Sequence, residues 1–228
     1  MLIDAGCGNG KPRPAPMDRF GMLDTPFLER LEAAGARPQD LTHVIFTHLH
    51  VDHVGWATVA DGEGWRLTFP QALHVMTRTE RDAKDPERGA RGLSEARTAP
   101  FLDSVKPVLD EGRVELVEGD ERDFLPGVDF VPTPGHAAGQ MAVRLRSGGR
   151  EALFVADVMH QPFQVFHPGW SSGYCEDKAK AAETRAKVLD YAAESGALIL
   201  PGHFAGTHCG YVRRAGSGFA YAPSDEAP

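Results

Sequence analysis

The sequence predicts a mixed α/β chain, and three observations carry that reading. Short apolar runs alternate with stretches whose apolar residues recur at helical spacing. Glycine, proline and aspartate punctuate the runs where turns are needed. Four of the runs also end on side chains suited to binding metals, so strand ends and chemistry coincide.

The first run, Leu2-Ile3-Asp4, enters a glycine turn. A helix is expected over residues 26–34, with Thr25 as its cap, Pro26 at its first position and Gly35 at its end. Phe27, Leu28, Leu31 and Ala34 form its expected buried stripe. Residues 43–47 read as a buried strand, and a short helix begins after Asp52. Residues 61–70 and 72–77 read as a strand pair. Residues 80–100 are charged and glycine-containing, a solvated loop-helix segment or, functionally, a lid over a cleft. Short strands follow at 113–118, 128–133, 141–146 and 151–156. A second helix is expected over 176–194, with Ala179, Ala182, Ala186, Leu189 and Ala193 on one face and Gly196 closing it. A strand at 197–200 comes next, and residues 222–228 read as a frayed tail. The whole chain, 1–228, reads as one domain.

A net charge of -8 disfavours a nucleic-acid partner, because phosphate binding needs a basic surface. No apolar stretch approaches the ~18 residues of a membrane span, and no signal peptide opens the sequence, so a cytoplasmic protein without a membrane partner is expected. Cys7, Cys175 and Cys209 are odd in number and far apart, which suits free thiols in a reducing compartment. Gly6, Gly8 and Gly10 precede Lys11 without Walker spacing, and read as a tight exposed turn.

The densest chemistry is His48-Leu49-His50-Val51-Asp52-His53, at the end of the run 43–47. His48 and His50, two apart, share a side of extended backbone. Asp52 and His53 follow within one turn. His136 ends the run 130–135, Asp157 the run 152–156, and His203 the run 197–202. Five imidazoles and two carboxylates at strand ends can gather at a sheet edge. Neutral imidazole and carboxylate are natural donors for Zn2+, with Fe, Mn or Co as alternatives. Two such ions can share a hydroxide that attacks a carbonyl or phosphoryl group. His43, His74, His167 and His208 read as structural or surface residues. Phe163, Phe166, Trp170 and Phe204 offer either an apolar substrate wall or core packing.

With these motifs, Thr47-His48-Leu49-His50-Val51-Asp52-His53, Thr133-Pro134-Gly135-His136, Ala156-Asp157 and Gly202-His203, the chain resembles the metallo-β-lactamase-fold hydrolase superfamily. The resemblance spans residues 3–203 and implies an αββα sandwich lacking the family's first N-terminal strands. An edge strand left uncovered there would favour a homodimer. Carried over, His48, His50 and His136 hold one metal; Asp52, His53 and His203 hold a second; Asp157 bridges them. Asp157 and Asp52 become catalytic carboxylates. Asp4 becomes a hydrogen-bond partner of a ligand. His160 lies three residues beyond Asp157, where some lactonases of the superfamily carry a tyrosine, and is expected to donate to the substrate oxyanion.

An aspartate at 157, where B1 β-lactamases place cysteine, argues against that activity. His50, where flavodiiron enzymes place an acid, favours hydrolysis over redox chemistry. RNA-binding elements and a glutathione-binding tail are not evident. The segment 156–170 is most similar to the lactonase and methyl parathion hydrolase-like branch. The expected function is dinuclear hydrolysis of a lactone or carboxylic ester through a metal-bridging hydroxide. An organophosphate triester is the alternative substrate, and a metal-bound interaction protein the alternative without catalysis.

Overall fold

The computed structural model describes residues 1–224, so residues 225–228 of the expected tail lie outside the described part. The chain divides into two compact units, Met1–Val117 and Glu118–Pro228. No helix among the described residues is long and apolar enough to cross a membrane.

In the first unit, strands β1 (Leu2–Ile3), β2 (His43–Ile45), β5 (Leu73–Thr77) and β6 (Val114–Val117) form a sheet in the order β1-β2-β5-β6. Every neighbouring pair is parallel. Their C-terminal ends therefore share one edge, and Asp4 and the 48–53 motif both follow that edge. Between β2 and β5 lie helix α2 (Val51–Val54) and a hairpin of β3 (Thr58–Asp61) and β4 (Gly64–Leu67). This corrects the expected pairing. Residues 64–67 pair back onto 58–61, while 73–77 joins the parallel sheet. Helix α1 (Phe27–Ala33) packs Phe27, Leu28 and Leu31 on a core built from Val44, Phe46, Trp56, Phe69 and Met76. Pro26 is its cap and Ala34 is exposed, whereas Thr25 bonds Asn9. Residues 80–100 hold parts of α3 (Arg78–Lys84) and α4 (Glu95–Pro100).

Lys11 is not exposed. Its side chain is fully buried, with Nζ 2.7 Å from Thr58 Oγ1, 3.3 Å from Asp103 Oδ1 and 3.8 Å above the Trp65 ring. Asp103 lies in a π-helical turn, Phe101–Val105, that continues α4 into α5 (Lys106–Asp110). Widening the helix there leaves the Asp103 carbonyl free to accept from Lys11 and Thr58. Asp103 also binds Arg13, so one carboxylate answers two buried cations. Burial draws the Lys11 pKa down to about 8 against the pull of Asp103.

In the second unit, β7 (Val128–Pro132), β8 (Met141–Ser147), β9 (Arg150–Ala156), β10 (Leu198–Pro201), β11 (Gly210–Ala215) and β12 (Gly218–Pro223) form one sheet in the order β12-β11-β10-β9-β8-β7. β9 and β10 are parallel, and the other neighbouring pairs are antiparallel. A parallel pair needs a crossover. Helices α6 (Phe163–Phe166) and α7 (Lys178–Ser195) supply it. β7, β9 and β10 thus run the same way and end on the same edge. Ala222 and Pro223, expected to fray, complete β12.

Asp177 caps α7 through Lys180 N at 2.9 Å, and Gly196 ends it in the left-handed region at φ 69°. Its buried face is Ala181, Thr184, Arg185, Val188, Leu189 and Ala192; of the expected face Leu189 is buried and Ala193 packs on the core, while Ala179, Ala182 and Ala186 do not belong to it. The fully buried Arg185 donates to the carbonyls of Val158, Pro168 and Trp170. Phe204 belongs to this unit's core, whereas Phe163, Phe166 and Trp170 are exposed.

His74 was expected at the surface but is fully buried, stacked on Phe46 with Nδ1 3.2 Å from Arg113 O. Burial holds its pKa down at about 4, against 6.5 for an ordinary histidine. The unfolded chain therefore takes up a proton first as pH falls. Stability should drop by about 3 kcal/mol between pH 6.5 and 4 and level off below. His74→Gln, neutral throughout, should remove that component when denaturant midpoints of the two proteins are compared across the window. Asp103→Ala strands two buried cations and should cost about 3–5 kcal/mol in urea unfolding. Lys11→Met, which removes a charge that burial already disfavours, should cost less.

Candidate metal centre

In the first unit, the backbone brings Asp4 and the 48–53 motif together. Asp4 N donates to Ile45 O at 2.9 Å, Ala5 N to His53 O at 2.6 Å and Trp56 N to Ala5 O at 2.7 Å. Gly55 lies so near this strand end that a Cβ there would fall 1.9 Å from Cys7 backbone atoms. Only glycine permits that approach. The Asp4 carboxylate accepts from Thr47 N and Thr47 Oγ1, both at 2.8 Å, and sits 2.7 Å from His53 Nδ1. Asp4 therefore reaches the expected ligand. With Nδ1–H donated to Asp4, His53 keeps its Nε2 lone pair, 3.8 Å from Asp52 Oδ1.

His48 is fully buried, with Nδ1 3.1 Å from Thr47 Oγ1 and Nε2 3.1 Å from His50 Nδ1. The His48 and His53 rings lie 4.0 Å apart between centroids. His50 keeps extended backbone, φ -79° and ψ 164°, and α2 begins immediately after it. Asp52 and His53 thus fall on the first helical turn. All four motif donors gather in this unit. Two neighbours had no signal in local sequence. Glu80, on α3, is buried and accepts from Leu49 N at 3.1 Å, and Lys84 Nζ lies 3.4 Å from His50 Nε2.

In the second unit the donors follow the shared edge of β7, β9 and β10. Gly135 has φ 131°, and a Cβ there would lie 2.3 Å from Ala181 N. Asp177 N donates to Gly135 O at 2.9 Å and Glu176 N to His136 O at 3.0 Å. The start of α7 thus clamps the peptide bearing His136. Cys175 Sγ lies 3.9 Å from His136 Nδ1, and burial pushes its thiol pKa up, away from the thiolate. Ala156 sits in the left-handed region at φ 45°, rare for a residue with a Cβ, and turns the chain at Asp157. A register shift opposite Leu200/Pro201 and a 3.0 Å bond from Gly202 N to Ala156 O bring His203 beside it.

Asp157, 3% exposed, is the focus of this edge. Its Oδ2 lies 3.3 Å from His136 Nε2, 3.2 Å from His203 Nε2 and 3.2 Å from His160 Nε2. An ion bound tetrahedrally at ~2.0–2.1 Å holds its donor atoms roughly 3.3 Å apart. The donor pairs within the units run from 3.1 to 3.8 Å, near that spacing. Where the opposite imidazole nitrogen is held by Thr47, Asp4 or Cys175, the ring is oriented as metal-binding histidines usually are. The residues fit a divalent metal.

The family described as Metallo-beta-lactamase superfamily matches residues 1–203. This chain belongs to that superfamily. N-acyl homoserine lactonase AttM of Rhizobium radiobacter is 24% identical over 182 residues, covering 77% of this chain and 63% of that protein. An N-acyl homoserine lactonase of Bacillus cereus is 27% identical over 117 residues, covering 51% of this chain and 38% of that one. The superfamily member thus spans 63% and 38% of the lengths of these two curated relatives. Among solved structures, hydrolase AbOPH of the beta lactamase superfamily superposes with TM-score 0.81 at 24% identity, over 97% of this chain and 74% of that one. AidC, a dizinc quorum-quenching lactonase in complex with a product, superposes with TM-score 0.77 at 23% identity, with the same coverage of both chains. At these identities the two structures support the fold.

Asp4→Asn keeps an acceptor for Thr47 but removes the charge that steadies His53. It should weaken zinc retention by about 10–100-fold in a competitive chelator titration. Retention equal to the parent's would show that Asp4 does not tune the site.

Proposed function

We propose that this superfamily member is a hydrolase of lactones or carboxylic esters that works with two divalent metal ions, Zn2+ favoured. The observation that carries the reading is the buried Asp157 carboxylate, with three imidazole Nε2 atoms 3.2–3.3 Å from its Oδ2. A structural carboxylate needs no such set, and imidazole with carboxylate is the donor chemistry of zinc hydrolases. The relatives named N-acyl homoserine lactonases make a lactone the first substrate class to test.

Carried over from the superfamily's motifs, His48, His50 and His136 would hold one ion and Asp52, His53 and His203 the other. Asp157 would serve both. Bound ions of this kind would lower the pKa of a water to roughly 7 and polarise a carbonyl oxygen.

The chain's own residues hold and move protons. Thr47 and Asp4 hold His48 and His53 through Nδ1, so that Nε2 of each ring is turned away from those partners. Asp157 and Asp52 are acceptors for the proton that water loses as its oxygen adds to the carbonyl carbon. The acyl carbon–oxygen bond then breaks, and the same proton passes to the leaving alkoxide. Water is consumed, and a carboxylic acid and an alcohol, or one hydroxy acid from a lactone, are formed.

The test is a substrate panel on the purified zinc-loaded protein: N-acyl homoserine lactones of several chain lengths, aryl esters and a phosphotriester. Lactone or ester turnover supports the reading. Turnover of the triester alone moves the assignment to organophosphates. Two bound metals with no turnover of any class would make this a metal-bound interaction protein. Asp157→Ala should lose at least one metal by elemental analysis and lower kcat by a factor on the order of 10^2 or more. Near-parental activity in that variant would refute the assignment.

A further inference from the structure

We infer that His160 is itself a metal ligand, completing with His136 and Asp157 a three-donor site carried wholly by the second unit. The inference rests on the metal-binding reading above and extends it, since the superfamily motifs leave His160 outside the ligand set.

Spacing is the first argument. The donor atoms of His136, Asp157 and His160 all lie within 4.8 Å of one another. His160 Nε2 is 3.2 Å from Asp157 Oδ2, matching His136 Nε2 at 3.3 Å. Those two spacings match edges of a tetrahedron around one zinc-sized ion, and the third donor pair stays within 4.8 Å.

The second argument is satisfaction. Both ring nitrogens of His160 are buried, and neither has a hydrogen-bond partner among the described residues. The approach to Asp157 has the distance of a hydrogen bond but not its alignment. A buried polar nitrogen left in this state is costly, and coordination to a cation removes the deficit through its lone pair.

The third is preorganisation. The His160 ring lies parallel to His203, at 8° and 5.4 Å between centroids, and 4.9 Å from the ring of His136. Its backbone N donates to Gln164 Oε1 at 2.7 Å. The buried Gln164 is in turn held by Trp170 O at 2.8 Å. The ring is therefore fixed, as a ligand must be.

Two imidazoles and one carboxylate are a donor set of catalytic zinc sites, and His160 would join it beside the other donors proposed for that ion. In this role the His160 nitrogen facing Asp157 is committed to the ion and is not the donor to the substrate oxyanion.

The test uses the full chain and reads metal, not turnover. Parent, His160→Phe and His160→Cys are compared by elemental analysis after desalting, by Co2+ titration and by visible and near-ultraviolet absorption, with circular dichroism checking the fold. His160→Phe keeps the ring's bulk without a donor, and should weaken one site about tenfold or more and alter the Co2+ d–d bands. His160→Cys should restore retention and add a thiolate-to-cobalt charge-transfer band in the near ultraviolet, which no merely structural role would produce. Unchanged stoichiometry, affinity and spectrum in His160→Phe would overturn the inference and leave the two-metal reading standing. A parent protein that retains no metal would overturn both.

Discussion

The Asp157 carboxyl is buried, its side chain 3% exposed, and the second unit is organised around supplying it with partners. Burying an unpartnered carboxylate costs several kcal/mol, so opposing charge or donors must be delivered to it. Strand direction does the delivering. Because β7, β9 and β10 run the same way, the residues just beyond each of them meet at one edge. Ala156 accepts a left-handed backbone to turn Asp157 there, and Gly135 accepts a φ of 131° to bring His136 against α7. At Ala156 this places local conformational cost directly beside a donor, as expected when surrounding structure over-determines a site.

The first unit solves a similar problem twice. Asp4, at the end of β1, spreads its charge over Thr47 and His53. Asp103 answers Lys11 and Arg13 from a turn of π-helix. The first arrangement orients an imidazole and thus reaches the chemistry. The second ties the segment after the glycine turn to a helix far along the chain. Both place a carboxylate where strand or helix geometry is irregular, because regular backbone leaves no spare donors or acceptors to share.

Much of this was legible in the sequence, for identifiable reasons. Each candidate ligand follows an apolar run, so strand ends could be read from composition and the donors from residue type. The bounds of α7 were legible to within two residues, with Gly196 marking its end, but its face was legible only in part. Thr184 and Arg185 occupy buried positions that a polarity pattern assigns to solvent. The β3–β4 and β11–β12 hairpins escaped notice because Arg66, Arg213 and Arg214 break the expected alternation. The burial of Lys11 was unreadable for a different reason. Its partner Asp103 lies 92 positions away, and no local pattern reports a pairing of that range. Lys84 and Cys175 reach candidate ligands, and Glu80 the backbone of Leu49, across gaps of 31 to 39 positions. The candidate donors announce themselves by type; of the groups beside them, Asp4 was legible from the superfamily's motif, while Glu80, Lys84 and Cys175 were not.

The clamp between Gly135 and the first turn of α7 has a mechanical corollary. An 18-residue helix is a stiff rod of roughly 27 Å. The His136 peptide is fastened to one end of it, while Asp190 near the other end holds Arg214 of β11 at 2.8 Å. Jitter of that imidazole is thus damped by the seating of the entire rod. A bulkier or smaller side chain anywhere along the buried seam from Ala181 to Ala192 would tilt the rod, and the strand tip would inherit the tilt.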